Sequence, residues 1–138
     1  MKKTGLQIES DVFALISNSS LKSFISGQIY KSDTRPINAR TEDAVISFLA
    51  GIDGQLQVGV LNLNVFVPDI DNGGGDGFLV KNVARCQEIE EKINSIIQSM
   101  SISNEYYFEL DKMIQTFSDE STNQHLVNSR IRFKRTTF

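Results

Sequence analysis

The chain has 138 residues, 40% apolar and 22% charged, with a single cysteine (Cys86), a single histidine (His125) and no tryptophan. That balance fits one globular domain, and it excludes an intrachain disulfide, a four-cysteine zinc site and every paired-histidine metal motif. The net charge of −3 hides an asymmetry: residues 121–138 hold four bases and no acid (+4), while residues 1–120 hold ten bases and all seventeen acids (−7).

Taken in chain order, residues 9–19 predict a helix. Ser10 is the candidate N-cap, Asp11 sits in the first turn, and Val12, Phe13, Leu15 and Ile16 recur at helical spacing. The run Ser17–Ser20 weakens it, since these side chains compete for backbone groups, and Leu21, Phe24 and Ile25 either continue the helix or enter a strand. Residues 28–31 predict a short strand and 32–43 a long polar loop around Pro36. Residues 44–50 and 55–67 predict a β-hairpin across the turn Gly51–Gly54. Leu61, Leu63, Val65 and Val67 share one face of it, and Asn62, Asn64 and Phe66 the other.

Pro68 ends that strand, and Asp69–Gly77 (DIDNGGGDG) reads as a flexible acidic connection. Residues 80–100 are the strongest helix, capped by Asn82, with a stripe of Val83, Cys86, Ile89, Ile93, Ile96, Ile97 and Met100. Residues 106–117 predict a strand bent near Asp111, 118–123 a turn, and 124–135 a last strand. On that strand Val127, Ile131 and Phe133 face one way, and Asn128, Arg130, Arg132 and Lys134 the other. The order of elements implies a single α+β domain over residues 1–138, an antiparallel or mixed sheet with two helices packed on one face.

The candidate chemistry is thin. Cys86 needs a base to act as a nucleophile and lies on an apolar stripe, where inert buried cysteines sit. The loop at Asp69, Asp71 and Asp76 starts like a calcium loop. It has Val80 at the position where an EF-hand needs glutamate, and Gly73 where it needs a side-chain oxygen. Its glycines lack the phosphate-loop pattern, and the aspartates would repel phosphate. The adjacent pairs Glu42–Asp43, Glu90–Glu91 and Asp119–Glu120 point to different faces and make poor acid/base dyads. Tyr106, Tyr107 and Phe108 beside the basic strand suggest a single-stranded nucleic-acid module, against the global charge. No run of about 18 apolar residues predicts a membrane span. MKKTG is not followed by a clean apolar signal core, so the chain is expected in the cytoplasm when made.

The element order, together with the segments SGQIYKSDTRP-N, EDAVISFLA, QVGVLNLNVFVPD, the helix at 80–100 and QHLVNSRIRFKR, resembles the tail terminator (tail completion, head–tail joining) proteins of long-tailed bacteriophages and prophages. The resemblance spans the whole chain. It implies a structural, non-enzymatic protein without cofactor or catalytic residues, found in the virion or in the host bacterial cytoplasm. Its partners would be other copies in a ring, commonly six, the tail tube protein and the head connector. A ring needs two unlike patches. The expected interface residues are Arg35 in the long loop, Asp69, Asp71 and Asp76 in the glycine loop, and Arg130, Arg132 and Lys134 on the last strand. Both loops are expected to act as arms that order against neighbours.

Overall fold

The computed structural model describes residues 1–119 and 121–137. Glu120, half of the pair Asp119–Glu120, lies outside the described residues. The fold is α+β. A curled mixed sheet carries helices on one face, in the order α1 (Gly5–Ser17), α2 (Leu21–Phe24), β1 (Ile29–Lys31), β2 (Ala44–Ile52), β3 (Leu56–Pro68), β4 (Ile70–Asp71), β5 (Leu79–Val80), α3 (Val83–Ser99), β6 (Ile102–Ser103), β7 (Tyr106–Leu110), β8 (Gln115–Asp119) and β9 (Gln124–Thr136).

The main sheet runs β1-β2-β3-β9-β7-β6, and β8 pairs with β9 beyond β7. Strand β9 is the spine. One edge pairs with β3 along thirteen residues, from Leu56↔Thr136 to Pro68↔Gln124, and the other pairs with β7 and then β8. The bend expected near Asp111 is a full break that splits the predicted strand into β7 and β8. β1 joins β2 in parallel. Parallel neighbours need a crossover of a dozen or so residues, and the loop 32–43 provides it without a helix.

Period-two alternation puts one apolar face under the helices. Leu61, Leu63, Val65 and Val67 of β3 and Val127, Ile131 and Phe133 of β9 are buried there with Ala44, Ile46 and Phe108. Ile8, Val12 and Ile16 of α1 and Cys86, Ile89, Ile93, Ile96 and Ile97 of α3 close the same core. Burying an aliphatic side chain of this size contributes about 1.5–3 kcal/mol.

The first helix corrects the expected boundary. It begins at Gly5 under a capping box in which Thr4 Oγ1 accepts from Gln7 N–H and Gln7 Oε1 accepts from Thr4 N–H. Ser10 is therefore inside the helix, and the reciprocal Thr4/Gln7 pair satisfies two end groups where Ser10 would satisfy one. Asp11 faces the sheet end. Burial alone would raise its carboxyl, but hydrogen bonds from Lys3 Nζ (2.5 Å) and Tyr106 Oη (2.6 Å) overcome that and hold it below its ordinary value. Leu21–Phe24 is one helical turn, a third helix beyond the two expected. Asn82 caps α3 by accepting from Arg85 N–H, but Val83 of the predicted stripe is exposed.

Candidate subunit interface

The basic stripe of β9 is on the outer sheet face, opposite the helices, but it is not bare. Arg130 Nε lies 3.0 Å from Asp111 Oδ2, and Arg132 reaches Asp111 Oδ1 at 2.6 Å and Glu109 Oε1 at 3.4 Å. Lys134 sits over the Tyr107 ring, 5.9 Å from its centroid. The register explains the pairing, because Glu109 stands opposite Arg132 on β7, and the chain turns at Asp111 beside Arg130. The C-terminal +4 is thus partly cancelled by acids of the neighbouring strand. Its fourth member, Arg135, belongs to the inner face: it is buried, donates to Met1 O and Gln57 Oε1, and pairs with Glu105 at 2.7 Å.

The two loops expected as arms differ completely. In the crossover loop, Arg35 is held from every side. Its Nε lies 2.9 Å from Asp43 Oδ2, its Nη2 donates to Gln124 Oε1 (2.9 Å) and to the Ala39 and Thr41 carbonyls, and its guanidinium covers the Phe66 ring at 4.0 Å. Asp43, 0% exposed, also accepts from Gln28 N–H and Thr41 Oγ1. Beside it, Glu42 makes a two-pronged pair with Arg85 of α3, both contacts at 2.8 Å. This pair holds the Glu42 carboxyl below its ordinary value against the opposing effect of burial. Arg35, expected at the interface, is held inside this fold as an internal pin.

The glycine segment is the opposite. It is not an unstructured connection but a two-residue ladder, Ile70↔Val80 and Asp71↔Leu79, forming a sheet of its own. Gly73, Gly75 and Gly77 take positive φ, which other residues resist. Asp71 Oδ1 accepts from Gly73 N–H and Asp76 Oδ1 from Phe78 N–H, and the latter bond leads in keeping the Asp76 carboxyl below its ordinary value. Asp69, at the base, is tied to the body: its Oδ1 is 2.7 Å from His125 Nδ1, and its N–H donates to Asn123 O. All twelve residues from 70 to 81 are exposed. They include Ile70, Phe78 (69% exposed), Leu79 and Val80, and Val83 follows. Sequence reasoning fixed on the aspartates and missed these apolar residues, whose signal was an FLV run directly after the glycines.

A second apolar feature lies on the outer sheet face at the far end of the β2–β3 hairpin. Ala50, Gly51, Ile52, Val58, Gly59 and Val60, with Arg132 at the rim, line a shallow hollow of about 280 Å³. A bulge between Phe48 and Ala50 shifts the register there, pairing Gly51 with Gly59. Gly59 is required by close approach, because a Cβ on it would lie 2.2 Å from Ala50 O.

Of the groups weighed for chemistry, Cys86 is buried, and burial pushes its thiol above the ordinary value. Among the described residues no cluster of three His, Cys, Asp or Glu side chains is placed to hold a metal. Among them, too, no helix is long and apolar enough to cross a membrane.

No protein-family model and no curated protein matches the chain. A solved structure resembles it with a TM-score of 0.53 at 14% sequence identity, over 96% of this chain and 96% of that one. Such a likeness speaks for the fold alone.

Proposed function

We propose that this chain is a structural assembly protein of a tailed phage or prophage, a tail terminator or neck component that forms a ring on the end of the tail tube. The observation that carries the reading is the arm of residues 70–81, an ordered ribbon whose twelve residues are all exposed and include four apolar side chains. Contiguous exposed apolar surface of this kind marks an interaction site. The whole-chain pattern that resembles tail terminators supports the same reading and supplies its partners: further copies, six in the family it resembles, the tail tube protein and the head connector. In this reading the protein works without catalysis or cofactor, in the virion or in the host bacterial cytoplasm. The alternative of a nucleic-acid module on β9 is disfavoured, because Asp111 and Glu109 lie among its bases and the chain as a whole carries −3.

The test is sedimentation or native mass spectrometry of the purified chain, alone and with purified tail tube protein. Rings, alone or formed on the tube, are expected. A chain that engages neither itself nor tube nor connector overturns the reading.

A further inference from the structure

We infer that the arm of one copy docks in the outer-face hollow of the next. The inference rests on the self-assembly part of the proposed function and names its contact: Phe78 and Val80, on one face of residues 70–81, against Ala50, Ile52, Val58 and Val60 of the neighbour.

Three observations carry it. First, the surfaces match in chemistry. The arm joins apolar side chains to the exposed acids Asp71 and Asp76, and the hollow joins an apolar floor to Arg132 at its rim, with Arg130 and Lys134 further along the same face. Arg132 remains 48% exposed despite its ion pairs, so it is open to a further carboxylate.

Second, the arm cannot use its own hollow. Asn72 N–H donates to Phe78 O at 3.1 Å, so Phe78 stands level with Asn72, four residues from Pro68. Four residues span at most about 14 Å. The hollow begins at Val60, eight residues back along β3, about 26 Å at ~3.3 Å per residue. The occupant is therefore a second copy.

Third, the two surfaces lie at opposite ends of the β3–β9 ladder, the arm at the Pro68–Gln124 end and the hollow at the Val58–Lys134 end. A contact between different patches at opposite ends is heterologous, and it propagates from copy to copy, forming a ring where the rotation between copies closes. Twelve arm residues are fewer than the 20–30 a side of a standard interface, so the adjoining outer face completes the contact.

The experiment uses two full-length variants. Phe78→Asp with Val80→Asp spoils the arm and leaves the hollow intact. Val60→Asp spoils the hollow and leaves the arm intact. Native mass spectrometry is expected to show each variant alone unable to form higher assemblies, and their equimolar mixture stopping at a 1:1 dimer, since one working arm and one working hollow remain. Circular dichroism spectra like that of the unmodified chain exclude unfolding. Should Val60→Asp disturb the sheet, a second design replaces it: Phe78→Cys with Val60→Cys in one chain. Under mild oxidation this is expected to give intermolecular cross-links, with Cys86 buried and silent. Variants that assemble like the unmodified chain overturn the arm-to-hollow contact while leaving a ring built by other surfaces standing. Absence of the cross-link at millimolar protein overturns the contact as well, whether or not rings form on the tube. An arm variant that loses only tube binding, with self-association intact, reassigns the arm to the tube protein and also overturns it.

Discussion

The crossover loop (32–43) and the glycine arm (69–81) look alike as sequences, polar and rich in turn-forming residues, yet the fold treats them in opposite ways. The loop is fastened within itself by Arg35–Asp43, to β9 by Arg35–Gln124 and to α3 by Glu42–Arg85. Among the described residues the arm is fastened at its base, through Asp69 to His125 and Asn123. Composition does not decide which segment is free. What decides is whether a charge within it finds a partner inside the body, because a buried carboxylate forces its surroundings into place. The loop ends as part of the scaffold, apart from Ile37, 97% exposed at its tip. The arm ends as the part left over for something else.

The largest expected effect breaks the fastened side. Asp43→Ala leaves Arg35 without its carboxylate in a largely buried site, and removing one partner of a buried pair costs about 3–5 kcal/mol. Urea unfolding should show a lower midpoint with an unchanged slope. A change under 1 kcal/mol would mean that the loop is not part of the scaffold.

Acid should act next, and on the same side. Glu42, Asp11 and Glu105 are held below ordinary values of 4.5, 3.8 and 4.5, by Arg85, by Lys3 and Tyr106, and by Lys3 and Arg135 respectively. Their contribution is present above those ordinary values and is lost as pH falls through the lowered ones. Lys3, raised above 10.5 chiefly by Asp11, contributes below that pH and loses its contribution as pH climbs through the raised value. Thermal midpoints should therefore fall below about pH 4.5. Glu42→Gln, which forfeits the Arg85 pair at every pH, should flatten part of that fall. Equal acid sensitivity in this variant would remove Glu42 from the account.

Hydrogen exchange sharpens the comparison without any substitution. The Gly27 amide, bonded to Glu42 O, and the Gln28 amide, bonded to Asp43 Oδ1, should be protected toward the global limit. Amides of 73–78 should exchange with almost no opening cost in the isolated monomer. The smallest expected effect is on stability in the arm itself: Phe78→Ser with Leu79→Ser should leave the unfolding midpoint within about 0.5 kcal/mol of unchanged. A larger loss would mean that the arm packs on its own body.

Much of the architecture was legible because periodicity and burial coincide. The β3 run Leu61–Val67 and the α3 stripe announce one buried face each, and they fix the α+β class and the helix-covered side. The start of α1 was not legible at Ser10, since Thr4 and Gln7 form a better reciprocal cap six residues earlier in the chain. On β9, Arg135 follows the inward parity of Phe133, so one of the four bases counted in the +4 end is buried. Its burial depends on Gln57 and Glu105, which the chain brings from two other segments. The same holds for Arg132: the local sequence shows a base, and only the strand register shows Glu109 opposite. Exposed apolar residues on the arm went unread for the converse reason. Periodicity assigns apolar residues to a core, and the sequence alone does not show that a two-residue ladder has none.

One contact has a consequence for the topology of the chain. The Met1 amino group donates to Thr137 O, and Arg135 donates to Met1 O, so residues 1 and 137 lie side by side at the end of the ladder opposite the arm. A short linker joining them, with the backbone opened between Gly74 and Gly75, would make a circular permutant with every core residue and ion pair unchanged. Such a permutant would fold as before while carrying a severed arm, separating the capacity to fold from the capacity to join without altering a single side chain.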